Sequence, residues 1–305
     1  MLSFNKSKNA LPVAQIKGGK YNNKIIYLYS EETTKNNIPV DIMEILDEII
    51  QEKRGRLRFD KMSQLQKSIK YNTRPLDDTI SPYYDQTLSK IDYYSKKDLK
   101  IHDGELIPLP STTRQCLFVA GPAGSGKSTY ISKYAQEFQK MYPNKKVFVF
   151  SRLNEDEPID ILDPIRIQID DELLEDPINP DELEDSLVIF DDTDTIPDKQ
   201  LNEAIRKLKN DLLETGRHQN VYVLISSHLM TNYKETRTVL NECHSITFFP
   251  SAGSSHQITY CLKNYFGLSK DQINKIMSLP SRWVSIYKNF PQYVLYSKGI
   301  YLLSH

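Results

Sequence analysis

The sequence of 305 residues has few of the features that mark secreted or membrane proteins. It has only three cysteines, Cys116, Cys243 and Cys261, and no CxxC spacing among them, which argues against a disulfide framework and suits a reducing compartment. The N-terminus lacks the apolar run of a signal peptide, and no stretch approaches the ~18 apolar residues of a membrane-spanning helix. We therefore expect a soluble, intracellular protein without a membrane span.

The chain also lacks an excess of charge, because 39 basic residues face 40 acidic ones for a net charge of −1. This balance argues against a protein that is basic throughout. The charge is nevertheless uneven. Residues 154–185 hold 14 acidic residues and one base, which is a net charge of −13. The carboxylates at 191, 192 and 194 add −3, so the rest of the chain has a net charge of +15. We interpret 154–185 as an acidic outer flank, which leaves the remaining positive charge free to form a basic surface.

Hydrophobic patterning divides the chain into two regions. Residues 1–110 contain a predicted strand at 24–29 and an amphipathic helix from Ile42 to near Gly55, and we expect an α+β accessory region there. Residues 111–305 alternate continuous apolar runs with helical patterns, which is typical of strands buried on both faces of a parallel sheet. The predicted strands are 116–120, 146–150, 187–190, 221–225 and 245–249. The predicted fold class is α/β, a parallel-rich central sheet flanked by helices.

Start and stop signals predict three helices in the second region. The first runs from Ser128 to Tyr142, directly after a glycine-rich loop. The second begins after Asp198 and stops at Gly216, and its apolar positions fall on one face. The third opens with a capping box at Ser269. Residues from about 262 to 305 are expected to form a C-terminal extension of the domain.

A phosphate-binding loop lies between the first predicted strand and the first helix of this region. Residues 121–128 read GPAGSGKS, which fits G-x-x-x-x-G-K-[ST]. Its glycines let backbone N–H groups turn toward phosphate oxygens, and the helix start adds a partial positive charge. Lys127 is predicted to reach the β- and γ-phosphates of ATP, and Ser128 to ligate Mg²⁺. The predicted nucleotide-binding residues are Gly121, Gly124, Ser125, Gly126, Lys127, Ser128 and Thr129.

Two carboxylates follow the third predicted strand. Asp191 and Asp192 come directly after residues 187–190, and the carboxyl ends of parallel strands face the same crevice as the phosphate loop. Asp191 is predicted to hold Mg²⁺, commonly through water, and Asp192 to orient or deprotonate the attacking water. Two ordinary capping aspartates at a polar strand end are the alternative.

Two further candidate catalytic residues flank the fourth predicted strand. Arg217 is either an arginine finger that reaches a neighbouring subunit's nucleotide or a cation that stabilises a helix C-terminus. His228 ends the strand and is either a sensor of hydrolysis beside the γ-phosphate or an ordinary strand-end histidine. Four residues could be considered as zinc ligands: Cys243, His244, His256 and Cys261. Their spacing along the sequence does not fit a compact zinc site.

The order of these motifs resembles that of the genome-packaging ATPases of large eukaryotic DNA viruses. These enzymes, of the poxvirus, iridovirus and giant-virus type, are a branch of the FtsK/HerA superfamily of P-loop NTPases. The motifs are GPAGSGKST, LVIFDD and ETGRHQNVYVLISSH, and the similarity is strongest where residues 216–220 lead into the fourth strand. The resemblance covers about residues 114–260. It implies a RecA-like core, a Walker B pair at Asp191 and Asp192, a trans-acting finger at Arg217, and His228 where the superfamily usually has a glutamine sensor.

The same resemblance implies a motor. It implies a homo-oligomeric ring that hydrolyses ATP with Mg²⁺ and moves double-stranded DNA into a capsid, with contacts to the DNA backbone rather than to its sequence. Capsid or portal-like vertex proteins are implied as further partners, and the host cytoplasm and the virion as locations. Arg54, Arg56 and Arg58 are a candidate DNA contact, although a solvated helix end is the commoner reason for such a cluster.

Two other classes of function fit part of the pattern. Small-molecule and nucleotide kinases share the phosphate loop, but they usually carry an arginine-bearing lid where this chain has the acidic segment 154–185. A diverged virion or scaffold protein with a degenerate nucleotide site is the other alternative. Intact Lys127, Ser128 and Asp191 argue against it.

Overall fold

The computed structural model of the protein divides into two compact units. The first consists of Met1–Ala10 and Ile26–Lys100, and the second of Leu11–Ile25 and Ile101–His305. The structure describes residues 1–6, 10–29, 41–52, 57–232 and 236–303. Arg54 and Arg56 of the candidate DNA contact, and the predicted helix end near Gly55, lie outside these residues.

Strands and α-helices are numbered here in chain order. The strands are β1 (Leu2–Ser3), β2 (Leu11–Lys17), β3 (Ile25–Leu28), β4 (Asp98–Lys100), β5 (Glu105–Pro108), β6 (Cys116–Ala120), β7 (Val147–Ser151), β8 (Ile165–Gln168), β9 (Leu187–Phe190), β10 (Tyr222–Ser227), β11 (Ser245–Phe248), β12 (Val284–Tyr287), β13 (Tyr293–Tyr296) and β14 (Gly299–Leu302). The helices are α1 (Ile42–Glu52), α2 (Phe59–Lys70), α3 (Ser81–Lys97), α4 (Lys127–Met141), α5 (Glu157–Asp160), α6 (Glu172–Glu175), α7 (Lys199–Glu214), α8 (Arg237–Glu242), α9 (Ser255–Phe266) and α10 (Lys270–Met277).

The first unit is mainly helical. The predicted amphipathic helix is present as α1, whose apolar residues recur at helical spacing and are buried on one face. Leu46 of α1 forms a small core with Leu65 of α2 and with Ile80 and Tyr84 at the start of α3. The tyrosine-rich segment after residue 71, for which the sequence predicts no definite structure, contains the 17-residue helix α3.

The second unit contains a mixed, mostly parallel sheet. Its strands lie in the order β14-β13-β12-β11-β6-β10-β9-β7-β8. The strands from β11 to β8 are all parallel, whereas β12, β13 and β14 continue the sheet antiparallel beyond β11. Strand β10 lies between the phosphate-loop strand β6 and the acidic strand β9, and the side chains of all three strands are buried. The predicted α/β fold class is confirmed.

The five predicted strands and three predicted helices of this unit are confirmed, with bounds that differ by one or two residues. Asp198 caps α7 by accepting from the backbone N–H groups of Gln200 and Leu201, and Ser269 opens α10 with the predicted capping box. The strands of the C-terminal extension were not predicted. No helix in the described part of the chain is long and apolar enough to cross a membrane.

The division at residue 110 predicted from sequence differs from the division in the structure. Strand β2 pairs antiparallel with β5, Ala14 opposite Pro108, and both strands belong to the second unit. Ion pairs join this strand pair to α4, with Lys17 Nζ 3.6 Å from Glu137 Oε1 and Lys133 Nζ 2.6 Å from Glu105 Oε1. Residues 11–25 and 101–110 are therefore part of the unit that contains the phosphate loop.

The sheet register brings three strand ends to one edge. Ser227 lies opposite Ala120, and Ile225 lies opposite Phe190, so that β6, β9 and β10 end side by side. The residues that follow these ends, beginning at 121, 191 and 228, share that edge. This juxtaposition is the one that the parallel-sheet prediction requires for a nucleotide site.

Candidate nucleotide-binding site

The phosphate loop connects β6 to α4, and all seven predicted nucleotide-binding residues lie in it or in the first turn of α4. Gly126 has a φ of +111°, a conformation that side-chain-bearing residues rarely adopt. A Cβ on Gly121 would lie 2.7 Å from the Phe249 ring, so that position has no room for a side chain. The glycines thus permit the turn that aims the backbone amides at a phosphate.

Lys127 connects the phosphate loop to the acidic strand end. Its side chain is only 6% exposed, and its Nζ donates a hydrogen bond to the Gly121 carbonyl over 3.0 Å. The same Nζ lies 3.4 Å from Asp192 Oδ1. A buried ammonium needs such partners, and they hold its charge at the sheet edge described above.

Asp191 is a buried carboxylate, 5% exposed, at the end of β9. Its Oδ1 accepts a hydrogen bond from Ser226 Oγ of β10 over 2.9 Å. The pKa of Asp191 is raised from 3.8 to about 6, chiefly by burial and in part by the negative charges of Asp192 and Asp156, against the lowering effects of the Ser226 hydrogen bond and the Lys127 charge. The ionised form of Asp191 is therefore disfavoured in the folded protein, first by its burial and then by its acidic neighbours.

Asp192 stands between Lys127 and His228. Its backbone adopts the left-handed conformation, φ +46°, and its N–H donates to Ser226 Oγ over 2.7 Å. His228 Nε2 lies 3.1 Å from Asp192 Oδ2. The structure thus brings three of the four predicted catalytic residues into one contact chain.

Asp194, whose place in the sequence indicated a charge near the site but no specific contact, lies beside His228. Its Oδ2 accepts from Ser227 Oγ over 2.7 Å and from the His228 backbone N–H over 2.9 Å, which fixes the turn that carries His228. Ligand atoms of Asp192, Asp194 and His228 lie within 4.8 Å of one another. These short contacts hold the end of β10 against the turn after β9.

Two further residues contact the loop region and were not predicted to do so, because neither lies in one of the sequence motifs. Asp156, between β7 and α5, accepts a hydrogen bond from Ser128 Oγ over 3.0 Å. Arg282, just before β12, donates from Nε to the Ser125 carbonyl over 2.9 Å and from Nη2 to the Gly124 carbonyl over 3.1 Å. Nothing in the sequence around Arg282 indicated a contact with the loop.

The residues at this edge fit a divalent cation. The Ser128 hydroxyl and the carboxylates of Asp191, Asp192 and Asp156 are oxygen ligands of the kind that Mg²⁺ prefers. Asp156 Oδ1 is buried and has no hydrogen-bond partner within the described part of the chain. Burial is the main cause of the raised pKa of Asp191, and the charges of Asp192 and Asp156 add to it; a cation bound here would favour the ionised form against both.

Arg217 is not part of this cluster. Its side chain is exposed in the turn between α7 and β10, where Gly216 has no room for a Cβ because the Leu212 carbonyl oxygen would lie 2.4 Å away. Strand β10, six residues long, separates this turn from the phosphate-loop edge. At ~3.3 Å per residue the separation is roughly 20 Å, too far for a contact within one subunit.

The ionised Asp191 is expected to destabilise the folded protein. Because one pKa unit corresponds to about 1.4 kcal/mol, its raised pKa implies a cost of roughly 2–3 kcal/mol at pH 7. Asp191→Asn, which keeps an acceptor for Ser226, should raise the free energy of unfolding by about that amount in Mg²⁺-free buffer. The gain should be full above pH 6 and fade as the pH falls toward 4, where the wild-type carboxyl is protonated.

Urea unfolding at pH 7 and at pH 4.5 measures both parts of this expectation. Glu184→Gln, which removes an exposed charge, is the control and should leave stability unchanged. An Asp191→Asn protein no more stable than the wild type at pH 7 would contradict the assignment of Asp191 as a desolvated carboxylate.

A viral protein is similar to this chain over most of its length. The uncharacterized protein V3 of Sputnik virophage is 45% identical over 208 residues, which span 67% of this chain and 84% of that protein. The chain belongs to the V3 family. No protein-family model matches it.

Solved structures similar to this V3-family chain are more distant. One is the genome packaging NTPase B204 of Sulfolobus turreted icosahedral virus 2, 13% identical, with a TM-score of 0.42 over 62% of this chain and 97% of that one. Another is the cytoplasmic domain of the Type VII secretion ATPase EccC of Thermomonospora curvata, which is 12% identical and has a TM-score of 0.43. That similarity covers 66% of this chain and 28% of the EccC chain. The α/β fold of the V3-family chain is shown by its own strand order and by the loop between β6 and α4.

Proposed function

We propose that this protein is a Mg²⁺-dependent ATPase that moves double-stranded DNA, and that it packages a viral genome into a capsid. The observation that carries the ATPase half is the contact chain from the phosphate loop through Lys127 and Asp192 to His228. The DNA half is supported by the motif resemblance, by the virophage relative, and by the +15 charge outside the acidic parts.

The phosphate loop supplies the nucleotide-binding half of the site. Its amides and Lys127 would bind the phosphates, and Ser128 and Asp191 would hold Mg²⁺. When bound, Mg²⁺ neutralises charge on the phosphate oxygens. Arg282 donates to two loop carbonyls, those of Ser125 and Gly124, and so supports the turned conformation of the loop. A loop held in place before ATP arrives loses less entropy on binding.

Asp192 is the candidate base for the attacking water. Its carboxylate is held by Lys127 on one oxygen and by His228 on the other. A carboxylate so oriented can accept a proton from a water that attacks the γ-phosphate. Because His228 contacts Asp192, a change in the charge or position of the Asp192 carboxylate would move or reprotonate His228. This contact could carry the predicted sensor role.

Arg217 is the candidate for catalysis between subunits. Its exposure and its distance from the loop of its own subunit support an action on a neighbouring subunit's nucleotide. An arginine there would neutralise transition-state charge. This role requires a homo-oligomer, and a ring gives every subunit an equivalent neighbour.

The deciding experiment compares ATP turnover of the full-length protein alone, with long duplex DNA, with short duplex and with single strands, beside a mass measurement of the oligomer. We expect stimulation by long duplex, a salt-sensitive dependence on DNA concentration, and an oligomer. Turnover indifferent to DNA would contradict the translocase and leave an ATPase of another purpose. Transfer of phosphate to a small acceptor instead of water would favour the kinase alternative.

Packaging itself needs a test with virion components. Capsid or portal-like vertex proteins are the proposed docking partners, and the viral assembly site in the host cytoplasm, with carriage into the virion, is the proposed location. DNA-stimulated turnover that rises further when purified capsid vertices are added would support this assignment.

A further inference from the structure

Asp156 occupies an unusual position for an aspartate that precedes a helix. Such residues normally accept a hydrogen bond from the helix's first backbone N–H groups. Here the Asp156 side chain makes no cap hydrogen bond to α5. Its Oδ2 instead accepts from Ser128 Oγ, in the first turn of α4, over 3.0 Å. The carboxylate is therefore aimed at the phosphate loop.

The backbone of Asp156 is fixed by its own surroundings. Its N–H donates to Asp160 Oδ2 over 2.7 Å, and its carbonyl accepts from the N–H groups of Ile159 and Asp160 over 2.8 Å each. These bonds hold the residue without help from its carboxylate. A change confined to the side chain should therefore leave the turn in place.

The other oxygen of Asp156 has no partner among the residues that the structure describes. Its Oδ1 is buried and makes no hydrogen bond, an arrangement that costs free energy unless something else binds there. The charge of Asp156 also acts on Asp191, the proposed Mg²⁺ ligand of the acidic strand end. Asp156 thus contacts one of the two residues to which the cation is assigned, Ser128, and its charge acts on the other, Asp191.

We propose that Asp156 is a positioning residue for the metal site: it accepts the hydrogen bond of the Ser128 hydroxyl, so that the lone pairs of the Ser128 oxygen are left for Mg²⁺, and its Oδ1 would accept a hydrogen bond from a water bound to the cation. This inference rests on the proposed ATPase function and adds a third carboxylate to the two of the Walker B pair. Residues that orient metal ligands in this way typically contribute 10–100-fold, roughly, to metal affinity.

The test measures metal binding rather than turnover. Mn²⁺ replaces Mg²⁺, and its binding to the full-length protein with a non-hydrolysable ATP analogue is followed by electron paramagnetic resonance. Asp156→Ala should weaken Mn²⁺ binding by about 10–100-fold. Asp156→Asn keeps an acceptor for Ser128 without the charge and should give an intermediate loss. Binding of the analogue in excess chelator, without metal, should be the same in all proteins.

Glu157→Gln is the matched control, because it removes an exposed acidic charge one residue away. It should bind Mn²⁺ as the wild type does. Wild-type Mn²⁺ affinity in Asp156→Ala, or an equal loss of analogue binding without metal, would overturn the proposal. A wild-type protein that binds neither metal nor analogue would instead refute the proposed ATPase, and the inference with it.

Discussion

Lys127→Ala is expected to lower ATP turnover by about 100–1,000-fold, the loss typical of removing one donor that stabilises transition-state charge. Lys127 is the buried cation between the loop carbonyl of Gly121 and Asp192. Alanine removes the charge that would meet the β- and γ-phosphates, and it also leaves the carboxylates of Asp191 and Asp192 without their ammonium. Phosphate release at saturating ATP, with and without duplex DNA, measures the effect.

Lys140→Ala is the control for this variant. Lys140 lies near the end of the same helix, α4, and its exposed side chain pairs with the buried Glu137, with Nζ 2.8 Å from Oε1. Its loss removes the same charge from the same helix and should leave turnover unchanged, because Lys140 lies far from the loop along α4 and Glu137 keeps Lys17 as a partner. Turnover near the wild-type level in Lys127→Ala would mean that hydrolysis does not occur at this loop.

Arg217→Ala is expected to lower ATP turnover at least as much as Lys127→Ala does. The expected loss is about 10³–10⁵-fold, which is the contribution typical of arginine fingers. Nucleotide affinity should be unchanged, because Arg217 lies roughly 20 Å from the loop of its own subunit along β10. Arg206→Ala, which removes the cation of an exposed pair with Glu203 on α7, should leave both quantities unchanged.

Mixing the two inactive proteins gives a sharper test of action between subunits. In a mixed oligomer, an Arg217→Ala subunit retains an intact loop and can receive Arg217 from a Lys127→Ala neighbour. We therefore expect part of the turnover to return on mixing. No recovery in oligomers shown to be mixed would argue that Arg217 acts only on the stability of its own turn.

The features predicted correctly are those encoded by neighbouring residues. The loop, the capping box at Ser269 and the apolar strands each need fewer than about ten residues to be recognised. The meeting of Lys127 with Asp192 followed from one further rule, that parallel strands end at the same edge. Their specific contact distances, however, come only from the packed structure.

The features that were missed depend on residues distant in sequence. Ser128 and Asp156 lie 28 positions apart, and Arg282 lies 157 positions from the loop carbonyl it binds. Strand β12 was missed for a chemical reason, because Ser285 interrupts its apolar run. The Ser285 hydroxyl is buried between Tyr130 Oη at 2.8 Å and Thr247 Oγ1 at 2.7 Å, so its burial depends on partners that no local pattern reveals.

Strand β8 has a consequence for the behaviour of the protein in concentrated solution. It is the last strand on its side of the sheet, among the strands that the structure describes, and it lies within the acidic segment 154–185. An open strand edge invites another chain to add to it, and repelling charge is one natural defence against such aggregation. Two copies that approached through β8 would each carry a segment with a net charge of −13, and the two segments would repel each other. The acidic segment is therefore expected to disfavour edge-to-edge association of the sheet.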